Sequence, residues 1–425
     1  MRKLLSILNP LERISYATWM LTVIAMLAWW RWGTYAMALL TLVVAIRCIV
    51  NRHIGNPALE RRQRICLWIM IVYWVLYIFS AFYSTDKSEA WGTVETKIPF
   101  VVLPLLCLGD DTRYLSREHI RGLFYLAVAT LSVRFLAAVV VSLYAIVQGS
   151  SVGEAFFWEF DPFGLHHNYL SLFVVIALAF IYTDIRQQWS KRTWRWKSVI
   201  VTVAAMLFVY MMLSNSRSGI VATGVLVVVI VLHTTFVLRH WRTALLTVGC
   251  AIVALIVTSL ALPKTLDRFT YAIHEIQEGR PADDRVIMAQ CVFDAIEGHW
   301  LFGYGSGDYM PALLSTYATH DYLLGIEKHM GSHNQYLETL METGIIGVVV
   351  LLVMLLAPLA TVMRHDRHHL LTAMLTTAIM SSILFESMFN RQMGVQIATL
   401  CYCLMILDSN RRQITLKNTA PCNNR

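Results

Sequence analysis

Long apolar stretches separated by short polar segments dominate the chain. Crossing the hydrocarbon core of a bilayer as a helix takes about 17–25 apolar residues, and most of the stretches reach this length. The pattern therefore predicts an all-α, polytopic integral membrane protein with about 12 transmembrane helices. The predicted spans lie near 15–31, 33–50, 66–83, 97–109, 122–147, 168–184, 198–213, 218–237, 243–262, 339–362, 370–386 and 392–408.

The fourth span is the least regular of the set. It covers only 97–109 and carries Pro99 and Pro104, two residues that interrupt helical hydrogen bonding. We therefore expect a broken or re-entrant helix here. Without this span, the basic cluster at 113–121 would lie on the opposite side of the membrane.

Every second polar gap is rich in Arg and Lys. Cytoplasmic loops of membrane proteins carry such an excess, so we place these gaps, and both chain ends, inside. The basic start lacks a small-residue cleavage site, which predicts a retained first helix rather than a signal peptide. The inner basic gaps lie at 52–64, 113–121, 186–197, 239–242 and 364–367.

The longest polar segment, 263–338, lies between the ninth and tenth spans and falls on the outer side. A loop of this length without a function is uncommon. Short amphipathic stretches within it predict short helices at 266–278, 285–297 and 309–317. The chain thus divides into nine membrane helices at 1–262, a loop domain at 263–338, three membrane helices at 339–410 and a cytoplasmic tail at 411–425.

Composition supports a membrane protein and argues against nucleic-acid binding. Of the 425 residues, 57% are apolar and 15% are charged, whereas soluble domains carry about 25% charged residues. The formal net charge of +8 could suggest nucleic acid, but the basic residues sit in short loops that set membrane orientation. The eight cysteines form no metal-like cluster, and the sequence contains no P-loop, GxSxG or HExxH motif.

Arg217 lies in the motif SNSRSG at 214–219, at the outer start of a span. Free backbone N–H groups and the positive end of the helix dipole favour an anion at such a place. The guanidinium adds a donor that can bind two phosphate oxygens. We therefore predict that Arg217 binds a phosphate group, with Ser216 as a further substrate contact. The alternative is a snorkelling Arg at a helix end.

Arg285 precedes an amphipathic stretch that ends in the turn GYGSG at 303–307. From its spacing alone, it could be a solvated charge or a partner of the Asp residues before it. Alternate Gly residues are typical of a tight turn with close backbone approach. A dinucleotide-binding motif is not indicated, because the turn neither follows a strand nor opens a long helix.

His333 lies in the motif SHNQYLE at 332–338. Ser332 and Gln335 have the spacing of a capping box, which predicts that a helix starts here with His333 in its first turn. A helix N-terminus disfavours an imidazolium, so we expect a neutral ring that can accept a proton. The alternative is a surface His at a helix end.

A similar motif, HHNYLS at 166–171, opens another inward-running helix. Its two His residues could bind a metal, but no acidic or Cys residue at ligand spacing accompanies them. We therefore favour hydrogen bonding to a substrate. The predicted substrate contacts are Lys97, His166, His167, Asn168, Ser216, Asn334 and Arg391.

The roles of four charged residues near or within the spans stay open. Arg134 falls near the middle of a long apolar run, where a charge is costly. It is functional, paired with a structural partner, or a sign that the span is misplaced. Glu386 and Arg391 flank the last outer turn and either pair with each other or line the site. Lys97, at the outer end of a span, could contact phosphate.

Taken together, these motifs resemble those of the O-antigen ligase and O-antigen polymerase superfamily of bacterial envelopes. The resemblance extends from Tyr144 onward, while the first four helices match by topology only. Each motif is short, but their order and their side of the membrane agree. The motifs are HHNYLS at 166–171, SNSRSG at 214–219, the Arg285 stretch that ends in GYGSG, and SHNQYLETLMETGIIG at 332–347.

The resemblance implies a metal-independent glycosyltransferase that needs no cofactor. Two Arg and one His are essential in the family, and they correspond here to Arg217, Arg285 and His333. The implied partners are an undecaprenyl-diphosphate-linked glycan as donor, lipid A–core or a glycan repeat as acceptor, and membrane lipids, without nucleic acid. The implied location is the bacterial inner membrane, with the site facing the periplasm. With His333 as general base, direct attack by the acceptor hydroxyl would invert the anomeric configuration.

The sequence leaves the exact activity open. Ligases pass the glycan to lipid A–core, polymerases pass it to another repeat unit, and other relatives glycosylate proteins. The chain length and the single large outer loop favour a ligase. A flippase for lipid-linked oligosaccharides is the non-enzymatic alternative, which Arg134 alone favours. Transporters tend to show internal repeats, and none is visible here.

Overall fold

The structure, a computed structural model, describes residues 8–152, 155–156, 160–161, 163–214, 216–261, 284–362 and 370–419. Regular secondary structure in these ranges is entirely helical. The prediction of an all-α protein is thereby confirmed. The predicted helix at 266–278, Asp283 and the side chain of Arg217 lie outside the described part of the chain.

In the described part of the chain, ten α-helices precede the segment that the sequence predicts to lie outside, called the outer segment below. They are α1 (Pro10–Ala28), α2 (Trp30–Val50), α3 (Arg61–Tyr83), α4 (Lys87–Thr96), α5 (Pro99–Gly109), α6 (Arg117–Val147), α7 (His167–Gln188), α8 (Trp194–Leu213), α9 (Arg217–Leu232) and α10 (Trp241–Ala261).

Six α-helices follow in the described ranges from residue 284 onward. They are α11 (Asp284–Ala295), α12 (Tyr309–Thr319), α13 (Leu323–Glu327), α14 (Gln335–Val362), α15 (Leu370–Ile383) and α16 (Gln392–Thr419). The predicted short helices at 285–297 and 309–317 correspond to α11 and α12. Each predicted span also falls on a helix, although α16 continues well past residue 408.

Eight helical stretches of the described chain are long and apolar enough to cross a membrane, and two shorter apolar helices follow. The protein is therefore a multi-pass membrane protein. The total of about 12 crossings stays a prediction for α1, α10, α15 and α16. The eight stretches are Arg31–Val50, Arg61–Tyr83, Lys87–Gly109, Arg117–Val147, His167–Lys191, Trp194–Leu213, Ser218–Val237 and Gln335–Ala360.

The fourth predicted span begins at an interruption of the helix and then runs unbroken from Pro99 to Gly109, with Pro104 inside the helix. Helix α4 ends before Lys97, and α5 begins two residues later at Pro99. Proline is tolerated in the first turn of a helix, where its missing N–H has no helical partner. The interruption leaves Lys97 inside the protein, with no exposed surface.

Helix α7 is the central helix of the bundle. In its most apolar 18-residue stretch, 83% of the residues are buried, against 22–44% in the other seven candidate membrane spans. It packs against α8, α9 and α15. A Cβ on Gly219 in the first turn of α9 would lie 2.4 Å from the Cβ of Ser171, so glycine permits α9 to approach α7 closely. The HHNYLS and SNSRSG motifs therefore lie side by side.

Arg134 has a structural partner. Its guanidinium donates to both carboxylate oxygens of Asp161, at 2.9 and 2.6 Å. It also donates to the backbone carbonyls of Leu27 and Ala28, at 2.8 and 2.7 Å, where α1 ends. Of the alternatives left open by the sequence, the structure favours the paired Arg. Arg134 was the one feature that favoured a transporter, and its pairing with Asp161 explains its position in the span.

The outer segment has its own small apolar core. Helices α11, α12 and α13 pack together with the first turns of α14. This core joins the helix that carries Arg285 to the helix that follows His333. Its fully buried members include Met288, Cys291, Val292, Ile296, Leu313, Tyr317 and Met341.

A break in α14 receives the loop that follows α11. Gly344 has a left-handed φ of 67° and interrupts the helix. Two loop–helix backbone bonds form at the break: Ile345 donates to the carbonyl of Trp300, and Tyr304 donates to that of Met341, both at 2.8 Å. The loop and α14 are therefore held as one unit.

The GYGSG turn makes the close backbone approach that its glycines predicted. Ser306 donates its N–H to the hydroxyl of Ser80 on α3, at 2.7 Å. A Cβ on Gly307 would lie 2.1 Å from the carbonyl oxygen of Asp86. The carboxylate of Asp308 accepts the N–H of Asp86 at 2.9 Å. These contacts fix the outer segment to the membrane helices.

Candidate active site

The motif-bearing helix starts come together at one end of the bundle through Asn168. This residue is only 4% exposed. Its side-chain oxygen accepts hydrogen bonds from the hydroxyls of Ser216 and Ser218, at 2.8 and 2.9 Å. Its side-chain nitrogen donates to Glu386, in the turn that precedes α16. One amide thus joins the start of α7, the start of α9 and this turn.

Glu386 also contacts His333. The Nδ1 atom of His333 lies 3.4 Å from Oε1 of Glu386, and the two side chains are 32% and 15% exposed. Because Nδ1 faces the carboxylate, Nε2 on the other side of the ring is the nitrogen left for a substrate. This arrangement orients an imidazole and leaves it one nitrogen for proton transfer.

The pKa of His333 shifts in the direction opposite to the predicted one. The hydrogen bond with Glu386 raises the pKa of His333 above its usual 6.5, although burial and the nearby charge of Arg285 act in the opposite direction. Burial acts to raise the pKa of Glu386, but the hydrogen bond and the ion pair with His333 act more strongly. The pKa of Glu386 is therefore lowered from its usual value. The expectation that the helix start disfavours the imidazolium is wrong in direction, because the carboxylate partner favours the charged ring.

The capping box predicted for Ser332 and Gln335 does not form. Asn334 caps α14 instead, since its side-chain oxygen accepts the N–H of Tyr336 at 2.9 Å. His333 therefore precedes the helix, with a left-handed φ of 47°. Such a backbone costs on the order of 1–3 kcal/mol for a non-glycine residue and tends to occur at functional sites. The predicted substrate contact through Asn334 becomes a helix cap.

His166 and His167 lie beside the His333–Glu386 pair. The N–H of Asn168 donates to the ring of His166 at 3.5 Å, and the His166 and His167 rings stack with their centroids 4.1 Å apart. Burial lowers the pKa of His166, while the charges of Glu386 and Arg391 raise and lower it, respectively. Both His residues and Arg391 thus belong to the same electrostatic environment, and His167 and Arg391 are exposed.

Ser216 is fully buried and caps α9, so the structure does not support it as a substrate contact. Its hydroxyl accepts the N–H of Gly219 at 3.1 Å and lies 3.1 Å from that of Ser171. Arg217 is the first residue of α9, the position that the sequence predicted for it. Its role at the site stays a prediction.

Lys97 does not join the group around His333. Its Nζ lies 4.0 Å from Oε1 of Glu342 on α14 and 4.1 Å from the centre of the Tyr77 ring. Tyr77 donates to the other oxygen of Glu342 at 2.7 Å. The predicted contact with phosphate is corrected accordingly: this side chain is enclosed by protein and ties the break between α4 and α5 to α14.

Two carboxylates of the site were missed as functional partners. The sequence predicts that Glu386 either pairs with Arg391 or lines the site, and its pairing with His333 is not among these alternatives. Glu338 was not singled out. It is buried and accepts hydrogen bonds from Tyr309, at 2.6 Å, and from Asn390. An acidic residue inside or at the end of an apolar stretch was the available signal.

The site therefore has an accessible layer above a buried one. The buried layer consists of hydrogen-bonded carboxylate, amide and hydroxyl groups. The accessible layer is rich in imidazole and guanidinium groups. Such a layer can bind an anion and accept a proton. Its described members are His166, His167, Arg285, His333 and Arg391.

Fold and site together define a multi-pass membrane protein with a cationic, His-containing site at one end of its helices. Residues 201–352 match the model of a protein family described as O-antigen ligase. No curated protein matches the chain. The family match confirms the resemblance over a segment that holds Arg217, Arg285 and His333. It implies a glycosyltransferase-like membrane enzyme of the O-antigen ligase or polymerase type.

Proposed function

We propose that the protein transfers a glycan from undecaprenyl diphosphate to a hydroxyl group of an acceptor sugar. Lipid A–core is the proposed acceptor, in the inner membrane of a bacterium, with the site facing the periplasm. The observation that carries the proposal is the His333–Glu386 pair, which Asn168 links to the helix start that bears Arg217. This arrangement supports a proposed base beside the proposed diphosphate site.

In the proposed reaction, the acceptor oxygen attacks the anomeric carbon as His333 removes its proton through Nε2. The bond between the anomeric carbon and the diphosphate oxygen breaks on the opposite face, so the configuration inverts. The diphosphate leaves as an anion. Arg217 and Arg285 bind it, and each guanidinium can contact two oxygens.

Glu386 has two roles in this proposal. It fixes the ring through Nδ1, and its negative charge makes His333 more basic, which is the direction of the raised pKa. A stronger base removes the hydroxyl proton more readily once the pH exceeds its pKa. Its charge also stabilises the imidazolium that forms during attack.

Charge on the leaving group is neutralised by arginines in this proposal, so a divalent metal is not required. Activity should therefore persist in EDTA. Inhibition by EDTA that Mg²⁺ or Mn²⁺ reverses would contradict this part and direct attention to Asp161, Asp283 and Asp284.

The test is glycan transfer by purified protein in lipid nanodiscs, with an undecaprenyl-diphosphate glycan as donor. We expect His333→Ala to reduce transfer by about 10²–10⁴-fold, the usual effect of losing a general base. His320→Ala is the matched control, because His320 forms an exposed pair with Asp294 at 2.6 Å in the same outer segment. His167→Ala should be milder than His333→Ala. Near-normal transfer by His333→Ala would remove His333 as the base.

The acceptor separates a ligase from a polymerase, the second candidate within the same superfamily. Lipid A–core and a lipid-linked repeat unit are offered in separate reactions. A gene deletion gives the cellular counterpart: a missing ligase removes every glycan chain from lipopolysaccharide, whereas a missing polymerase leaves single repeats. Transfer to repeats alone would reject the ligase.

A further inference from the structure

A polar cavity lies at the end of the bundle opposite the candidate active site. Its volume is about 490 Å³, and it lies between the start of α6, the last turn of α7, the turn after α9 and the start of α15. Ligand sites typically enclose about 300–1,000 Å³. Helix α7 has 22 residues, and its start is in the active site, so about 33 Å of helix separates the two. The cavity is therefore a distinct site.

The ionisable groups among the described lining residues are all bases: Arg117, Arg186 and His233. Arg117 is held in place, since it donates to the side chain of Gln187 at 3.1 Å and lies 3.9 Å from Asp408. Arg186 is exposed at the cavity mouth. Two cations and a side-chain amide at one cavity favour an anion.

His233 also lines the cavity. Its Nδ1 atom is closed to solvent and has no hydrogen-bond partner within the described chain, so this nitrogen lies behind the cavity wall rather than in the cavity. The residue also begins a π-helical turn, His233–Val237, a feature that is frequent at functional sites.

The nearest acid of α7 does not cancel the positive charge of the cavity. Asp184 is hydrogen-bonded to Tyr125 at 2.5 Å and to Arg192 at 2.6 Å, and it also pairs with Arg121. One carboxylate is thus shared by two guanidinium groups. With Asp408 beside Arg117 counted as well, four guanidinium groups (Arg117, Arg121, Arg186 and Arg192) stand against two carboxylates, so this side of the bundle keeps a positive excess.

We propose that this cavity binds a phosphate group. Its apolar lining by Val237, Leu238 and Leu370 lies beside the cations, which suits the phosphate headgroup of an anionic phospholipid with the start of its acyl chains. Basic pockets between membrane helices on the cytoplasmic side bind such headgroups. Free phosphate is the other source of the same chemistry.

The experiment measures binding to the purified, delipidated full chain in detergent. Phosphatidylglycerol, zwitterionic phosphatidylcholine and inorganic phosphate are titrated separately, and bound lipid is counted by native mass spectrometry alongside the thermal unfolding midpoint. We expect Arg186→Gln and Arg117→Gln each to weaken phosphatidylglycerol binding about tenfold, the effect of one lost charge-assisted hydrogen bond. Arg62→Gln is the control, since Arg62 is an exposed cation of another predicted inner gap.

Each outcome decides the proposal. Phosphatidylglycerol binding that depends on Arg186 and Arg117 supports a lipid headgroup. Binding of inorganic phosphate with the same dependence supports a free-phosphate site. The proposal is overturned if neither ligand binds, or if Arg62→Gln weakens binding as much as the cavity variants do. The thermal unfolding midpoint measured without added lipid checks that Arg186→Gln and Arg117→Gln are folded, independently of the proposed glycan transfer.

Discussion

His333 and Glu386 form a pair in which Nδ1 of the imidazole lies 3.4 Å from Oε1 of the carboxylate. The second oxygen of the same carboxylate accepts a hydrogen bond from Asn168. Because Asn168 also binds the two Ser residues that flank Arg217, the side chains of Asn168 and Glu386 connect His333 to that helix start. The pairing with Glu386 should affect the pH dependence of the reaction most directly.

Replacing Glu386 with Gln should move the acid limb of the pH–rate profile to lower pH. His333 acts as a base only when neutral, so activity is present above its pKa and is lost as the pH falls through that value. Glu386 raises this pKa above 6.5, mainly through their hydrogen bond. An uncharged amide removes that effect, so the pKa of His333 falls. The measurement is kcat/KM against pH.

The control for this change is Asp294→Asn, which alters the exposed His320–Asp294 pair. Its profile should match that of the wild type. A Glu386→Gln enzyme with an unchanged acid limb and only a lower maximum would mean that the carboxylate has a structural role alone, or that another group is the base.

Arg217 and Arg285 should contribute separately to donor binding. Loss of one guanidinium that stabilises the departing diphosphate should cost a few kcal/mol, or about 10²–10³-fold in rate. Arg217→Lys retains the charge but not the paired donors, so we expect it to be impaired as well. Lys328→Ala, which removes an exposed cation of the same outer segment, is the control. Wild-type transfer by a folded Arg217→Ala protein would refute the diphosphate contact.

Local features of this protein were predictable from sequence, and its long-range pairs were not. Apolar length located the helices, and glycine spacing identified the GYGSG turn, because both depend on neighbouring residues. Ser332 and Asn334 are both good N-caps, so the sequence could not show which one starts α14. The pairings of His333 with Glu386 and of Lys97 with Glu342 depend on how distant helices pack, and only the fold reveals them.

The buried Lys97–Glu342 pair gives a prediction about stability. The two side chains are 0% and 1% exposed, and Nζ lies 4.0 Å from the carboxylate. Removing one partner leaves a buried charge without compensation, which typically costs about 3–5 kcal/mol. Lys97→Met should therefore lower the thermal unfolding midpoint strongly. The double variant Lys97→Met/Glu342→Gln should recover much of the loss.

This double-mutant comparison also tests whether Lys97 is a structural partner of Glu342 or a contact of the donor. If Lys97 contacts the donor, Lys97→Met should raise the KM for the donor with little effect on unfolding, and the second substitution should restore nothing. If it is a structural partner, the two substitutions should be strongly non-additive in stability.

Two glycines should respond to alanine with opposite signs. Gly344 has a φ of 67°, and a Cβ there would lie 2.2 Å from the carbonyl oxygen of Leu301. Gly92 lies within α4, and a Cβ there would meet nothing within 4 Å. Gly92→Ala should stabilise the protein by about 0.5–1 kcal/mol, since Gly is a poor helix former. Gly344→Ala should destabilise it by more than that, because alanine cannot adopt the native backbone without strain.

The effect of Gly344→Ala should extend to activity, because the break in α14 holds the loop after α11 against the segment that follows His333. Displacing this loop would shift Arg285 relative to His333, and a misplacement of about 1 Å can cost about 10²-fold in rate. We therefore expect slower transfer by Gly344→Ala at a temperature where the protein is still folded, and a wild-type rate for Gly92→Ala. Thermal unfolding in detergent and glycan transfer in nanodiscs are measured on the same preparations. A Gly344→Ala protein that matches Gly92→Ala in both would show that the break positions neither the loop nor the site.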